Sequence, residues 1–231
     1  MPSQPTLALF DLDHTLLPMD SDVAWAEELV RRGVVDAEWH RQRNDHFFAQ
    51  YKAGTLDIDA FLAFQLGPLA AHPRGTLEAW RAEFFAREIA PRVLPQALAL
   101  VDRHQKEGAL CAIVTATNEF ITAPIAKAFG VSHLIATQVE TTEQGEFTGR
   151  PRGLPSFREG KVTRVQQWLA TMDLGLESFH ASYFYSDSVN DLPLLTKVTH
   201  AVAVNPDARL AQHALEMGWP VVDLFASKDA A

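Results

Sequence analysis

Two carboxylates one residue apart, Asp11 and Asp13, close the apolar run Leu7-Ala8-Leu9-Phe10. Like charges at that spacing repel, and an apolar strand end strips them of water, so a cation belongs between them; a divalent metal is the simplest. Two later apolar runs also end in polar groups. Ala109 to Val114 leads into Thr115, and Ala181 to Ser186 leads into Asp187, with Asn190 and Asp191 just beyond. Lys161 opens a helical pattern between them. Carboxylates from two strands suit a hard ion such as Mg²⁺, while a hydroxyl, an ammonium and the backbone amides after Thr115 suit a phosphoryl group. Taken singly, each residue has a plainer use. Asp-x-Asp is common in surface turns, Asp187 to Asp191 could cap a helix, Thr115 could bond backbone, and a lone lysine is ordinarily solvated.

These groups meet only if their strands share one edge of a parallel sheet, where open α/β sheets hold ligands. The patterning supports this. Strands are expected at 7–10, 109–114, 134–137, 181–186 and 200–204, with Val221-Val222 as an edge. Helices are expected over 95–107, from Asn118 to Phe129, from Lys161 through Leu169, over 191–196, and over 206–217 with Pro206 at its start. Pro124 belongs in the first turns of its helix or kinks it. Gln144-Gly145 reads as a hairpin turn within 138–159. Residues 16–22 read as irregular. From Val23 to about Glu88 the alternation disappears, and apolar residues recur at helical spacing in about four elements. The expected class is α/β, a parallel sheet with helices on both faces and a helical insertion after the first strand.

Composition narrows the function. The chain has 231 residues, 47% of them hydrophobic, and a net charge of −9 without any basic block, which argues against nucleic acid and anionic membrane partners. The single cysteine, Cys111, excludes an internal disulfide and reads as a small core residue. Met1-Pro2-Ser3-Gln4-Pro5 lacks the basic start and apolar stretch of a leader, and no apolar run is long enough to span a bilayer. The expectation is a cytoplasmic protein, monomer or homodimer.

Phe10-Asp11-Leu12-Asp13-His14-Thr15-Leu16, Thr115 after an apolar strand, Lys161, and Ser186-Asp187-Ser188-Val189-Asn190-Asp191 together resemble, in order, the four motifs of the haloacid dehalogenase-like hydrolases. The helical insertion resembles the type-1 cap of the phosphoserine-phosphatase-like branch. The resemblance implies a Rossmann-like core of residues 1–20 and 90–231 and a cap of residues 21–89. It also implies roles. Asp11 attacks phosphorus to form an aspartyl-phosphate, and Asp13 protonates the leaving alkoxide and then activates water. Mg²⁺ is held by Asp11, the backbone carbonyl of Asp13, and Asp187. Thr115, the amide of Ala116, and Lys161 hold phosphate oxygens, with Asn190 and Asp191 orienting them. His14 is given no catalytic role, and Thr15 fixes the loop. An acid at position 13 separates the family's phosphatases from its dehalogenases, so a small-molecule phosphate ester is the expected substrate.

Substrate choice falls to the cap. Asp20 and Asp22 are candidates to contact an amine or imidazolium on the leaving group, while Glu27 and Glu28 read as a charged helix start. Arg41, Arg43 or Arg74 could meet a substrate carboxylate. Leu9 to Leu17 running into Asp20-Ser21-Asp22, with Trp25 one turn later, and Tyr51-Lys52-Ala53-Gly54-Thr55-Leu56-Asp57 resemble the sub-branch that includes histidinol-phosphatases. Histidinol phosphate is thus the expected ester and phosphoserine the alternative. From other classes come a phospho-accepting receiver module and a silent Mg²⁺-dependent phospho-ligand binding protein. The length and large insertion count against the first, and intact Asp11, Asp13, Lys161 and Asp187 against the second.

Overall fold

Leu7 to Phe10 lie fully buried in β1 (Thr6–Phe10), as a run without alternation requires when both faces are covered. The computed structural model describes residues 5–226; Met1 to Gln4, on which the reading of a leaderless start rests, lie outside it. Four helices follow β1: α1 (Ser21–Arg31), α2 (Ala37–Ala53), α3 (Ile58–Ala70) and α4 (Arg74–Phe84). Asp20, Asp36 and Asp57 cap the first three, each side chain accepting amides of the first turn. A π turn over Phe85–Ile89 and a 3₁₀ turn over Ala90–Arg92 lead into α5 (Pro95–Lys106), with Pro95 in its first turn.

The rest alternates. β2 (Leu110–Asn118), α6 (Glu119–Ala128), β3 (His133–Thr137), a hairpin of β4 (Val139–Thr141) and β5 (Phe147–Pro151), and α7 (Glu159–Ala170) come first. Then come β6 (Ala181–Ser186), α8 (Leu192–Leu195), β7 (His200–Val204), α9 (Ala208–Met217) and the edge strand β8 (Val221–Val222). Six strands form one parallel sheet in the order β3-β2-β1-β6-β7-β8, so β1 lies between β2 and β6. Ala8 and Phe10 face α5 and α6 through Val101, Ile121 and Ile125; Leu7 and Leu9 face α7, α8 and α9 through Val165, Leu194 and Leu210. This is the expected doubly covered α/β sheet. Cys111 is buried in it, its thiol pushed up to about 11 by burial. Among the described residues no helix is long and apolar enough to cross a membrane.

Four local expectations are corrected. The irregular stretch stops at Asp20, because Asp20 caps a helix that already includes Ser21 and Asp22. β2 does not end at Val114; it runs on through Thr115 to Asn118, its register with β3 slipping after Val114. The last long helix starts at Ala208, capped by Asp207, so Pro206 precedes it. Glu28 is no helix-start charge. It is buried in the middle of α1, bonded to Arg32 Nε at 2.6 Å and to Arg31 and Arg87.

Candidate active site

Asp11 follows β1 directly, its amide donating to Tyr185 O at 2.9 Å and so extending the β1–β6 ladder by one residue. Its carboxylate is held from two sides. Lys161 Nζ donates to Oδ1 at 2.8 Å, and Thr15 Oγ1 lies 3.0 Å from Oδ2. Thr15 also accepts the amide of Asp187 at 3.1 Å and lies 3.3 Å from Asp187 Oδ1, tying the two acidic loops together. His14, in the left-handed region at φ 58°, is exposed; its amide donates to Met19 O and its carbonyl accepts from Asn205.

Lys161 is 3% exposed and bridges Asp11 to Asp191 Oδ2 at 2.7 Å, an oxygen that also accepts from Ser186 Oγ. Burial alone would favour a neutral amine, but Asp11 and Asp191 hold its pKa above the ordinary value. The sequence before Lys161 explains how it gets there. Gly160 packs against Pro155 O so tightly that a Cβ would fall 2.1 Å from it, and Arg158 opens the helix at φ 49°, ψ −121°.

Asp13 sits differently. Oδ1 accepts Ser21 N–H at 2.8 Å, at the positive end of α1, and Oδ2 accepts the Thr117 hydroxyl at 2.8 Å. Among the described residues no cation pairs with it. Burial, then the charge of Asp20, push it up to about 6 against the pull of those bonds. Thr115 is buried, and its Oγ1 accepts Thr117 N–H at 3.2 Å, leaving its own proton to donate. Ala116 lies in the irregular stretch of β2, its carbonyl taken by Thr137. Asn190 Oδ1 accepts from Arg158 through Nε at 3.1 Å and Nη2 at 3.0 Å.

The two acids at the start of α1, Asp20 and Asp22, separate. Asp20 Oδ1 accepts the amides of Asp22 and Val23, both at 2.9 Å, so its carboxylate is occupied as a helix cap. Asp22 is 8% exposed, its one side-chain donor among the described residues being Asn118 Nδ2 at 3.5 Å, and burial, Asp20 and Asp13 raise it well above the ordinary range. Trp25 Nε1, further along α1, is buried and has no hydrogen-bond partner among the described residues. The three arginines are engaged elsewhere: Arg41 with Glu38 and Asp45, Arg74 with Glu78 and Gly145 O, and Arg43 over the Phe47 ring.

Asp11, Asp187 and Asp191 bring three carboxylates to the single ammonium of Lys161. Burial, then Asp11 and Asp191, drive Asp187 well above the ordinary range. That uncompensated charge, borne by hard oxygen donors, fits a divalent cation between Asp11 and Asp187. Among the described residues no three His, Cys, Asp or Glu side chains converge as a ready ligand set, so a third protein ligand would be a backbone carbonyl such as that of Asp13.

Three contributors were given no role in the site by the sequence. Thr117 shares the strand face of Thr115 by its i+2 spacing, a signal present in the sequence. Tyr51 Oη lies 2.7 Å from Ser188 Oγ, with its phenol pushed up to about 12, first by burial. Arg158, which reaches both Asn190 and Gly54 O, carried no sequence signal.

Comparison with known proteins gives a consistent result. Residues 8–196 match the family model of the haloacid dehalogenase-like hydrolases. A histidinol-phosphatase from Neisseria meningitidis serogroup C is 48% identical over 217 residues, 94% of this chain and 98% of that one. The crystal structure of a protein of unknown function from Bordetella pertussis Tohama I superposes with a TM-score of 0.91 at 53% identity, covering 96% and 100% of the two chains. A substrate-bound phosphoserine phosphatase shares the fold, with a TM-score of 0.67 at 17% identity over 95% of this chain and 93% of that one.

Proposed function

We propose that this chain, which belongs to the haloacid dehalogenase-like hydrolase family, is a Mg²⁺-dependent phosphomonoesterase that acts through an aspartyl-phosphate on Asp11 and takes a small amine-bearing ester such as histidinol phosphate. The observation that carries the reading is the contrast between the two carboxylates that flank Leu12. Asp11 shares an ion pair with Lys161, whereas Asp13 has no cation beside it among the described residues and is pushed up to about 6. One is thereby suited to attack and the other to move a proton near neutral pH.

In the first step an Asp11 oxygen bonds to phosphorus while the ester P–O bond breaks, and the Asp13 proton passes to the leaving alkoxide. In the second, Asp13 takes a proton from water, which displaces Asp11 and releases inorganic phosphate. Lys161 and the Thr115 hydroxyl, with the Ala116 amide, steady the phosphoryl oxygens. Asn190 and Asp191 orient the loop and the lysine. Asp11, Asp187 and the Asp13 carbonyl would hold Mg²⁺, which offsets repulsion between carboxylate and phosphate.

Residues 21–89 act as the cap that selects the leaving group. Asp22 takes the role of amine contact, since the carboxylate of Asp20 is occupied as a helix cap. A buried acid without a cation favours an ammonium. With Arg41, Arg43 and Arg74 engaged elsewhere, an ester without a carboxylate is favoured over phosphoserine. The name of the Neisseria relative points the same way. The test is steady-state turnover of histidinol phosphate, phosphoserine and an acidic ester, with Mg²⁺ and with chelator. Histidinol phosphate should lead by at least about tenfold in kcat/KM, and chelator or Asp11→Asn should abolish turnover. Equal use of phosphoserine would defeat the substrate assignment; Mg²⁺ binding without turnover of any ester would defeat the enzyme.

A further inference from the structure

The C-terminal end of α2 rests on the catalytic core through three bonds. Tyr51 Oη meets Ser188 Oγ at 2.7 Å, Gly54 O accepts from Arg158 Nη2 at 2.7 Å, and Lys52 O accepts from Arg209 Nη1 at 3.0 Å. Exposed carbonyls at a helix C-terminus are the negative end of its dipole, so two guanidiniums are well placed there. Gly54 ends the helix in the left-handed region at φ 74°, and a Cβ there would crowd Arg158 Nη2 at 3.3 Å.

Two of the three bonds reach the loop that carries Asp187. Ser188 is the neighbour of Asp187, and its Oγ also accepts the Asn190 amide at 3.2 Å. Arg158 holds Asn190 Oδ1 and Gly54 O with one guanidinium, while its own backbone opens the helix of Lys161 in a sterically disfavoured conformation. The Arg209 side chain touches α2 through Lys52 O and does not bond residues 187–191. A flexible ammonium could not reproduce the planar fork of Arg158.

We propose that Tyr51 and Arg158 are positioning residues that couple the seating of α2 to the alignment of the Asp187–Asp191 loop with Lys161. The inference rests on the reading above, in which that loop serves a Mg²⁺-dependent phosphatase. Seating α2 completes the hydrogen bonds of Ser188 and Arg158 and so orders Asp187 and Asn190; lifting it removes one partner from each.

The experiment compares Tyr51→Phe, Arg158→Lys and Arg209→Ala with the wild-type chain by amide hydrogen exchange of residues 186–192, by kcat and KM, and by the Mg²⁺ concentration for half-maximal rate. Tyr51→Phe and Arg158→Lys should each speed exchange in that segment severalfold, lower kcat about 5- to 20-fold with KM within about threefold, and raise the Mg²⁺ requirement. Arg209→Ala should keep kcat and the Mg²⁺ requirement within about twofold. Unchanged exchange in both Tyr51→Phe and Arg158→Lys would overturn the coupling, as would an equal loss of kcat in Arg209→Ala. A wild-type chain inactive on every ester would defeat the proposed reaction instead, and the exchange measurement would still decide the coupling.

Discussion

A carboxylate taken out of water without a cation destabilises the fold unless it is protonated or finds a partner. Asp22 is in that position, facing Asn118 Nδ2 at 3.5 Å with Asp20 and Asp13 as its charged neighbours. The unfolded chain ionises this group near its ordinary 3.8, whereas the folded chain holds the proton to higher pH. Stability is therefore lost as pH rises from about 4 through the raised value. Asp22→Asn should raise Tm by a few degrees at pH 8, on the scale of about 1 kcal/mol for a chain of this size, with the difference closing as pH falls towards 4. The same variant should raise KM for the amine-bearing ester by about tenfold or more. Asp20→Ser, which keeps a capping oxygen, should leave KM within about twofold. Thermal scans at several pH values, with kinetics at pH 7, check both. Sequence could nominate Asp20 and Asp22 together but could not part them. A helix cap and a substrate-facing acid use the same side chain, and only the position of the α1 amides says which is occupied.

At the scale of elements, α7 decides where Lys161 points. Its first turn lies against Pro155 O at a separation only glycine allows. Gly160→Ala should cost about 2 kcal/mol as that turn shifts, and should lower kcat by about tenfold or more because Lys161 moves with it. Chemical denaturation and steady-state kinetics on one preparation measure the two effects. Lys161 and the strand-end acids were legible because a motif names them. Gly160 was not, since the approach of Pro155 is a tertiary fact. Pro124 shows the same limit. It sits in the second turn of α6 and lacks the amide that would bond Phe120 O, and Arg81 of α4 donates to that carbonyl at 2.7 Å while lying over the Phe120 ring. A freed carbonyl could be read from the sequence; its partner some forty residues earlier could not.

Across the whole molecule, the helical stretch between β1 and α5 is bound to its own return path through Glu28. This carboxylate, 1% exposed, meets Arg31 of α1, Arg32 just past its end, and Arg87 of the π turn. Glu28→Ala would leave three guanidiniums facing a buried gap. The expected loss is about 3 kcal/mol, the low end for breaking a buried pair because Arg31 and Arg87 are half exposed. Tm should fall by roughly 6–12 °C, with Glu28→Gln intermediate. A fall of less than about 2 °C would show that the cluster carries little of the stability.

Sequence alone determined the α/β class, the parallel sheet and the family, because a buried parallel strand needs an unbroken apolar run and the acids must stand at its end. It also named Asp11, Asp13, Thr115, Lys161 and Asp187 as one constellation, since they follow the order of the family's four motifs. Tertiary structure decided which neighbours compete for each polar atom. Asp20 went to helix amides and Asp22 to a buried position without a cation among the described residues, Glu28 went to three arginines, and Tyr51 and Arg158 went to the loop around Asp187. Such partnerships depend on distances between residues far apart in the chain, while periodicity and motif spacing report only on neighbours along it.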